Sequence, residues 1–421
     1  MRENTSDRRR LLHDWKTSTS SYMNALIERF CRAEDLATSD PYDIWKTPLG
    51  FRAKDLYNRK PRAGLLAVAL LGGFDHFFNN GRRWFYATQE YPIVRAMAAL
   101  SLVKLYRQNG ESRFLDFAAR HLEWLVAHSC RGYSGPCWGL GFPYAVSAEI
   151  VYDANTPFST VTPYALEAFI AYREACGDER FESVVPGILE FFDRDLCVME
   201  EDEEVLATSY GPRRDRVVIN AISYTLCAYS LFLPYAPARR RVVLRDKIRR
   251  LYQYIRRQQR SDGSWFYSPH GRSFIDCFHS CIVLKNLLKA GRRVEFMNST
   301  SVVQAGYAYL KRALFDERAF LFRRFSVRNK LSLVRFDLYD NAEALNLALL
   351  MGDLDFADRL LSSILRRFAD GPAIYSQIDV LGIRRNKNTL RWAVMPLLYA
   401  MSQRISIEAG AVERESLSVG S

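Results

Sequence analysis

The chain has 421 residues, 48% hydrophobic and 25% charged, too apolar for disorder and about the size of one toroid or two ordinary domains. Lys and Arg total 59 against 47 Asp and Glu, a balance of +12. The arginine runs Arg8–Arg10, Arg239–Arg241 and Arg384–Arg385 bring no zinc-finger spacing or RNP-like strand with them, so nucleic acid is disfavoured as a partner.

The amino terminus, MRENTSDRRRLLHDW, lacks the apolar stretch of a signal peptide, and the longest apolar run, 63–73, is shorter than the roughly 20 residues that cross a bilayer. Both features predict a cytoplasmic protein, with peripheral contact at the inner membrane face left open by its basic surface. Eight cysteines form no CxxC pair, which predicts reduced core thiols, Cys176, Cys227 and Cys281 among them. No metal and no cofactor are expected, because Cys277 and His279 lack a second ligand pair at a zinc spacing.

Helical periodicity starts with Leu11, Trp15, Tyr22, Leu26 and Phe30 and then recurs in pairs. The pairs are 91–106 with 114–126, 162–175 with 181–192, 217–233 with 242–257, 275–289 with 299–313, and 340–350 with 355–367; a last helix covers 389–403. A pair returns every ~50–60 residues, the period of stacked or circularly closed helix hairpins. Strand-like stretches at 204–209 and 331–336 are too few for a sheet domain. The predicted fold is all-α, an (α/α)6 toroid with short β-hairpins on its loop face, in one domain over 1–405. A polar tail, 406–421, is expected to be disordered.

Loops within a pair are short and plain. Those between pairs (132–142, 209–216, 262–272, 323–337 and 374–379) combine aromatics, glycines and polar groups, and in an up-down array they share one face. This asymmetry predicts a one-sided cleft.

Six constellations supply candidate residues. Tyr133 and Trp138 lie in GYSGPCWG and could stack on a sugar ring. Tyr210, Arg213, Arg214 and Asn220 gather a phenol, guanidiniums and an amide at a helix start, a set suited to a carboxylate or phosphate; solvated surface arginines fit as well. Gln259 and Trp265 in QRSDGSW match a QW-type repeat, in which Gln caps a helix end and Trp packs on it. That structural role is the favoured one for Gln259 and Trp265, and Trp265 and Tyr267 also stand as candidate ligand contacts. Asp276 and His279 stand three apart, either as a helix-capping carboxylate with its hydrogen-bonded partner or as a carboxylate-oriented acid/base. Arg335 and Asp337 precede Asp340 and Glu343, which read as an N-cap and its capping-box partner, leaving Asp337 to face the cleft. Asp43 in DPYD offers a further carboxylate or only an Asx-type turn.

DPYD (Asp40 to Asp43), GYSGPCWG (Gly132 to Gly139), YGP…INA (Tyr210 to Ala221), QRSDGSWFY with FIDCFHS (Gln259 to Ser280) and LRWAVMPLLYAM (Leu390 to Met401) occur in this order, and over most of its length the chain resembles the VpsJ-like family. The resemblance implies an (α/α)6 fold and a role in bacterial exopolysaccharide or capsule biosynthesis, without a defined reaction. This chain departs from that pattern at Ile44-Trp45-Lys46, at Asn220, which has no His before it, and at Asp337-Leu-Tyr-Asp340.

The combined reading is a carbohydrate-active protein acting on a saccharide or lipid-linked saccharide as a hydrolase, epimerase or lyase. Asp276, His279, Asp337, Asp43 and Tyr210 are its candidate catalytic groups. Tyr133, Trp138, Arg213, Arg214, Asn220, Trp265, Tyr267 and Arg335 are its candidate substrate contacts. The alternatives are a non-catalytic saccharide-binding or scaffold subunit and, from the cyclase-like helix pairs, a prenyl-chain binder.

Overall fold

The computed structural model describes residues 19–419 except 271–272 and 329–331, with side chains described to residue 409. The chain forms α1 (19–31), α2 (Pro48–Arg59), α3 (Pro61–Phe74), α4 (Pro92–Asn109), α5 (Arg113–Ala127), α6 (Thr162–Cys176) and α7 (Val184–Glu190). It continues as α8 (Ile219–Phe232), α9 (Ala238–Arg257), α10 (Cys277–Gly291), α11 (Thr300–Ala313), α12 (Leu338–Met351), α13 (Leu354–Phe368) and α14 (Met395–Val419).

Helices α4, α6, α8, α10, α12 and α14 each pack on the next, and α14 returns to α4, so they close an inner ring. An outer helix backs each: α5 on α4, α7 on α6, α9 on α8, α11 on α10 and α13 on α12. The sixth, α1, sits beside α14, where Cys31 Sγ lies 4.0 Å from Met395 Sδ. This is an (α/α)6 toroid, and composition explains the two rings. Every residue of α8 is buried, as a helix surrounded by protein requires. The outer α13 instead buries a stripe of Ala357, Leu360, Leu361, Ile364 and Phe368.

Gly110, Gly177 and Gly352 end α4, α6 and α12 at φ of 73°, 68° and 75°, the left-handed stop that glycine supplies. These stops serve the short connections, so the long loops all enter at the amino-terminal ends of the inner helices. A four-stranded antiparallel sheet decorates that end: Ala373–Asp379 pairs with Ala369–Asp370, Arg384–Lys387 and Val334–Asp337.

Several expectations need correction. The helix expected over 181–192 is shorter and continues as a π turn, Phe191–Asp195. The hairpin α2–α3 was not expected. Tail residues 406–419 continue α14 as helix, in keeping with their Ala, Glu and Leu content; 420–421 lie outside the described residues, as do 11–18 of the first expected helix. Cys176 is exposed, while Cys31, Cys137, Cys227, Cys277 and Cys281 are buried thiols.

Candidate functional site

The positive ends of six inner helices converge at the loop face, and the polar groups there are held by helix starts. Asp276 is the N-cap of α10, accepting the backbone N–H of His279 at 3.2 Å. It also receives the His279 ring: Nδ1 lies 2.9 Å from Oδ1 and 2.8 Å from Oδ2. An imidazole whose Nδ1 faces a carboxylate donates its proton there, which leaves Nε2 as acceptor in the neutral ring. Among the described residues Nε2 has no hydrogen-bond partner.

The ring is flanked by Phe278 at 3.8 Å and Tyr267 at 4.6 Å between centroids. Beside it lies a cavity lined by Asn220, Trp265, Tyr267, Asp276, His279 and Ser280 among others, about 10 Å³ in volume, room for one water. Asn220 contributes a buried side-chain oxygen with no partner among the described residues. Burial raises the pKa of the Tyr267 phenol, with Arg216 opposing, and Tyr210 and Tyr144 stand within electrostatic reach. The Arg216 guanidinium lies 3.9 Å from the Tyr210 ring centroid and makes no ion pair among the described residues.

Phe278 joins this half of the mouth to a second one, meeting Trp392 at 5.6 Å and Tyr339 at 5.0 Å; Tyr339 stacks on Trp392 at 4.8 Å. Trp392 and Ala393 interrupt the helical path before α14, with Ala393 at φ 98°. The neighbouring Arg391 pairs with Asp40. Burial would push the Asp40 carboxyl up, but Arg391 and Lys46 outweigh it and hold it below the usual range. Lys46 in turn bonds Asp43 at 2.8 Å and the Tyr91 hydroxyl.

The structure brings Asp276, His279, Asn220, Tyr267 and Trp265 to one cavity, with Tyr210 nearby. It removes others from the cleft. Asp337 is the N-cap of α12, fully buried: it accepts from Tyr339 N (2.9 Å), Arg324 (2.8 Å), Gln377 (3.1 Å) and Trp392 Nε1 (3.1 Å). The capping assigned to Asp340 and Glu343 is therefore wrong. Asp340 sits one turn in, its carboxyl pKa raised by burial, and accepts from Phe278 N; Glu343 forms a buried ion pair with Lys285 of α10. Asp43 has both oxygens engaged, by Lys46 and by Asp40 N.

Trp138 is not a stacking surface. It is fully buried, and its Nε1 donates to Leu125 O in the last turn of α5 at 2.9 Å. Trp265 does the same to Ile255 O in α9, also at 2.9 Å. Both indoles donate to carbonyls in the last turn of an outer helix, where the intrahelical i to i+4 bonds run out. The glycines around Trp138 serve close packing: a Cβ on Gly139 would lie 1.9 Å from Thr156 O. Tyr133 does not line that cavity and stands within electrostatic reach of Asp153 and Asp195. Arg213 and Arg214 are spent on the carbonyls of Val151 and Val198, and Arg335 is exposed.

Arg216, Arg324, Arg391, Lys46 and Trp392 escaped the sequence reading. Their signal was weak: Arg216 is the third arginine of a run, and Arg391 and Trp392 lie in a motif noted only for resemblance. Among the described residues no group of three or more His, Cys, Asp or Glu could hold a metal ion.

No protein-family model matches the chain, and no curated protein matches it. Among solved structures it is similar to a sugar epimerase from a ruminal bacterium, at 13% identity over 76% of this chain and 88% of that one, TM-score 0.58. Cellobiose 2-epimerase from Bacillus thermoamylovorans follows at 11% identity over 76% and 88%, TM-score 0.58. A GH76 α-mannanase of Bacteroides thetaiotaomicron is similar at 11% over 76% and 87%, TM-score 0.56. The likeness concerns the fold.

Proposed function

We propose that this chain is a saccharide-active enzyme that moves a proton at a sugar carbon, as an epimerase or a lyase does, with His279 Nε2 as the base and Asp276 as its orienting partner. The observation that carries this reading is the doubly anchored Nδ1 beside a cavity shared with Asn220 and Tyr267. A positioned imidazole contributes roughly 10²–10⁴-fold to proton transfer. Tyr267, kept protonated by burial, is the donor to a departing or re-protonated centre. Arg216, with no carboxylate partner among the described residues, suits a substrate carboxylate or the oxyanion formed as the proton leaves.

Hydrolysis fits less well, since it uses two carboxylates facing the scissile bond. Asp337 and Asp43 have their oxygens occupied within the protein. The sugar-acting names of the similar structures support a saccharide, and the resemblance to the VpsJ-like family supports exopolysaccharide assembly as the setting.

The test is incubation in D₂O with a panel of hexoses, β-linked disaccharides and uronate oligosaccharides, followed by NMR and mass spectrometry. Deuterium at a sugar carbon, or an unsaturated product, is expected. Cleavage to ordinary reducing sugars without deuterium would overturn the reading in favour of hydrolysis. Saturable binding without turnover would overturn it in favour of a binding protein.

A further inference from the structure

Helix α3 is apolar along most of its length, Ala63 to Phe74, yet Gly64 is its one buried residue, packed on Tyr57 of α2. Leu66 and Leu70 stay 69% and 65% exposed. An isolated 14-residue helix is marginal in water, and a continuous apolar face of this kind marks an interaction surface.

The chain then turns through Asp75–Asn79 to a second apolar feature. Trp84 and Phe85 stand outward, Phe85 at 87% exposure, and the backbone is left-handed at Arg83 (φ 56°) and at Phe85 (φ 69°). Asn79 clamps that turn with both ends of its amide, accepting from Trp84 N at 2.7 Å and donating to Trp84 O at 3.0 Å. The clamp fixes a turn that presents the Phe85 ring to water and leaves Trp84 half-exposed. The turn also docks on the Ala373–Asp379/Arg384–Lys387 hairpin through Asn80 and Asn386 at 3.0 Å, and that hairpin's tip exposes Leu381 and Ile383. The three features are thus carried on adjoining elements.

Charge decides what covers it. Residues 48–85 carry seven Lys and Arg against two Asp, and Arg384 and Lys387 add to the rim. Arg59, Lys60, Arg62 and Arg82 are exposed around the leucines and aromatics. Apolar and aromatic groups ringed by cations match the interface of an anionic bilayer, where each cation near the surface adds attraction and the rings sit at headgroup depth. Helix α3 is about 21 Å long against a hydrocarbon core of about 30 Å, and among the described residues no helix is long and apolar enough to cross a membrane.

We propose that the α2–α3 hairpin and the Trp84–Phe85 turn form a monotopic docking surface for anionic phospholipid membranes, lying in the interface without crossing it. Lys54 of α2 lies 4.6 Å over the Tyr144 ring, so the hairpin that carries the patch abuts a loop of the cleft mouth. A saccharide carried on a lipid would then reach His279 from the bilayer. That consequence rests on the saccharide reading; membrane docking does not.

The test uses the full chain and sugar-free vesicles of phosphatidylcholine, alone or with phosphatidylglycerol, in co-sedimentation. Binding to the anionic vesicles that weakens with salt is expected, with a blue shift of Trp emission that Trp84→Phe abolishes. Leu66→Ser with Leu70→Ser should weaken binding at least tenfold while the thermal midpoint holds, and Arg59→Glu with Arg62→Glu should remove the preference for phosphatidylglycerol. Failure of the wild type to sediment with either vesicle overturns the proposal, as does wild-type binding by the serine variant. A solution dimer that the serine variant dissociates overturns it as well, assigning the patch to a second copy. Because no sugar is present, none of these outcomes bears on the reaction at His279.

Discussion

His279 offers one ring nitrogen to both oxygens of Asp276, at 2.9 and 2.8 Å, and the same carboxylate caps the helix that carries the ring. One side chain thus sets where α10 begins and how the imidazole points. The two roles separate by substitution. Asp276→Asn keeps a good N-cap and loses the charge facing Nδ1, so turnover should fall about 100-fold or more with a nearly unchanged urea midpoint. Asp276→Ala should lose turnover similarly and about 1 kcal/mol of stability as well.

Asp337 gives the opposite pattern. It is the buried acceptor for Arg324, Gln377, Trp392 and the start of α12, and Arg324 has no other carboxylate at bonding distance among the described residues. Asp337→Ala strands that guanidinium and should cost about 3–5 kcal/mol in urea unfolding. A variant of wild-type stability would contradict the anchoring role.

Trp138→Phe and Trp265→Phe test whether these indoles hold the toroid together. Each loses a donor to an outer-helix carbonyl, an expected cost of about 1–2 kcal/mol. Saccharide affinity, followed by titration calorimetry, should not change for Trp138→Phe.

What could be read in the residues follows from what repeats. Helix pairs recur along the chain, so the pairs of the ring and the one-sided placement of rich loops were visible from periodicity, while the α2–α3 hairpin was not. The return of α14 to α4 is a contact between distant segments and has no local mark. Asp276 and His279 were readable because one helical turn relates them. Asp337 was misread because the start of α12 falls three residues before the capping-box pattern suggested. Trp138 was misread because an indole in a glycine-rich loop has the same composition whether it lines a cleft or plugs a helix end. Arg216, Arg324 and Arg391 come from three separate loops, and only closure of the ring brings them to one mouth.

His121 predicts an acid-sensitive step. It is buried, accepts from Arg95 at Nδ1 (2.9 Å) and meets Cys31 O through Nε2 (2.6 Å), so it is neutral. Burial, with Arg95 adding to it, lowers its pKa to about 4, against about 6.5 in the unfolded chain. Between these values the unfolded state binds the extra proton, so stability is lost as pH falls from about 6.5 to 4, by at most about 3 kcal/mol from this residue. Urea midpoints of wild type and His121→Gln at pH 7 and pH 5 should show a smaller drop for the variant. Equal drops would contradict this assignment.

The most direct test of the central claim is the rate of deuterium wash-in from D₂O for wild type and His279→Gln, on whichever panel sugar the wild type turns over, with affinity for that sugar measured alongside. The account predicts a fall of about 100-fold or more with affinity retained. Wash-in at the wild-type rate in the glutamine variant would contradict it.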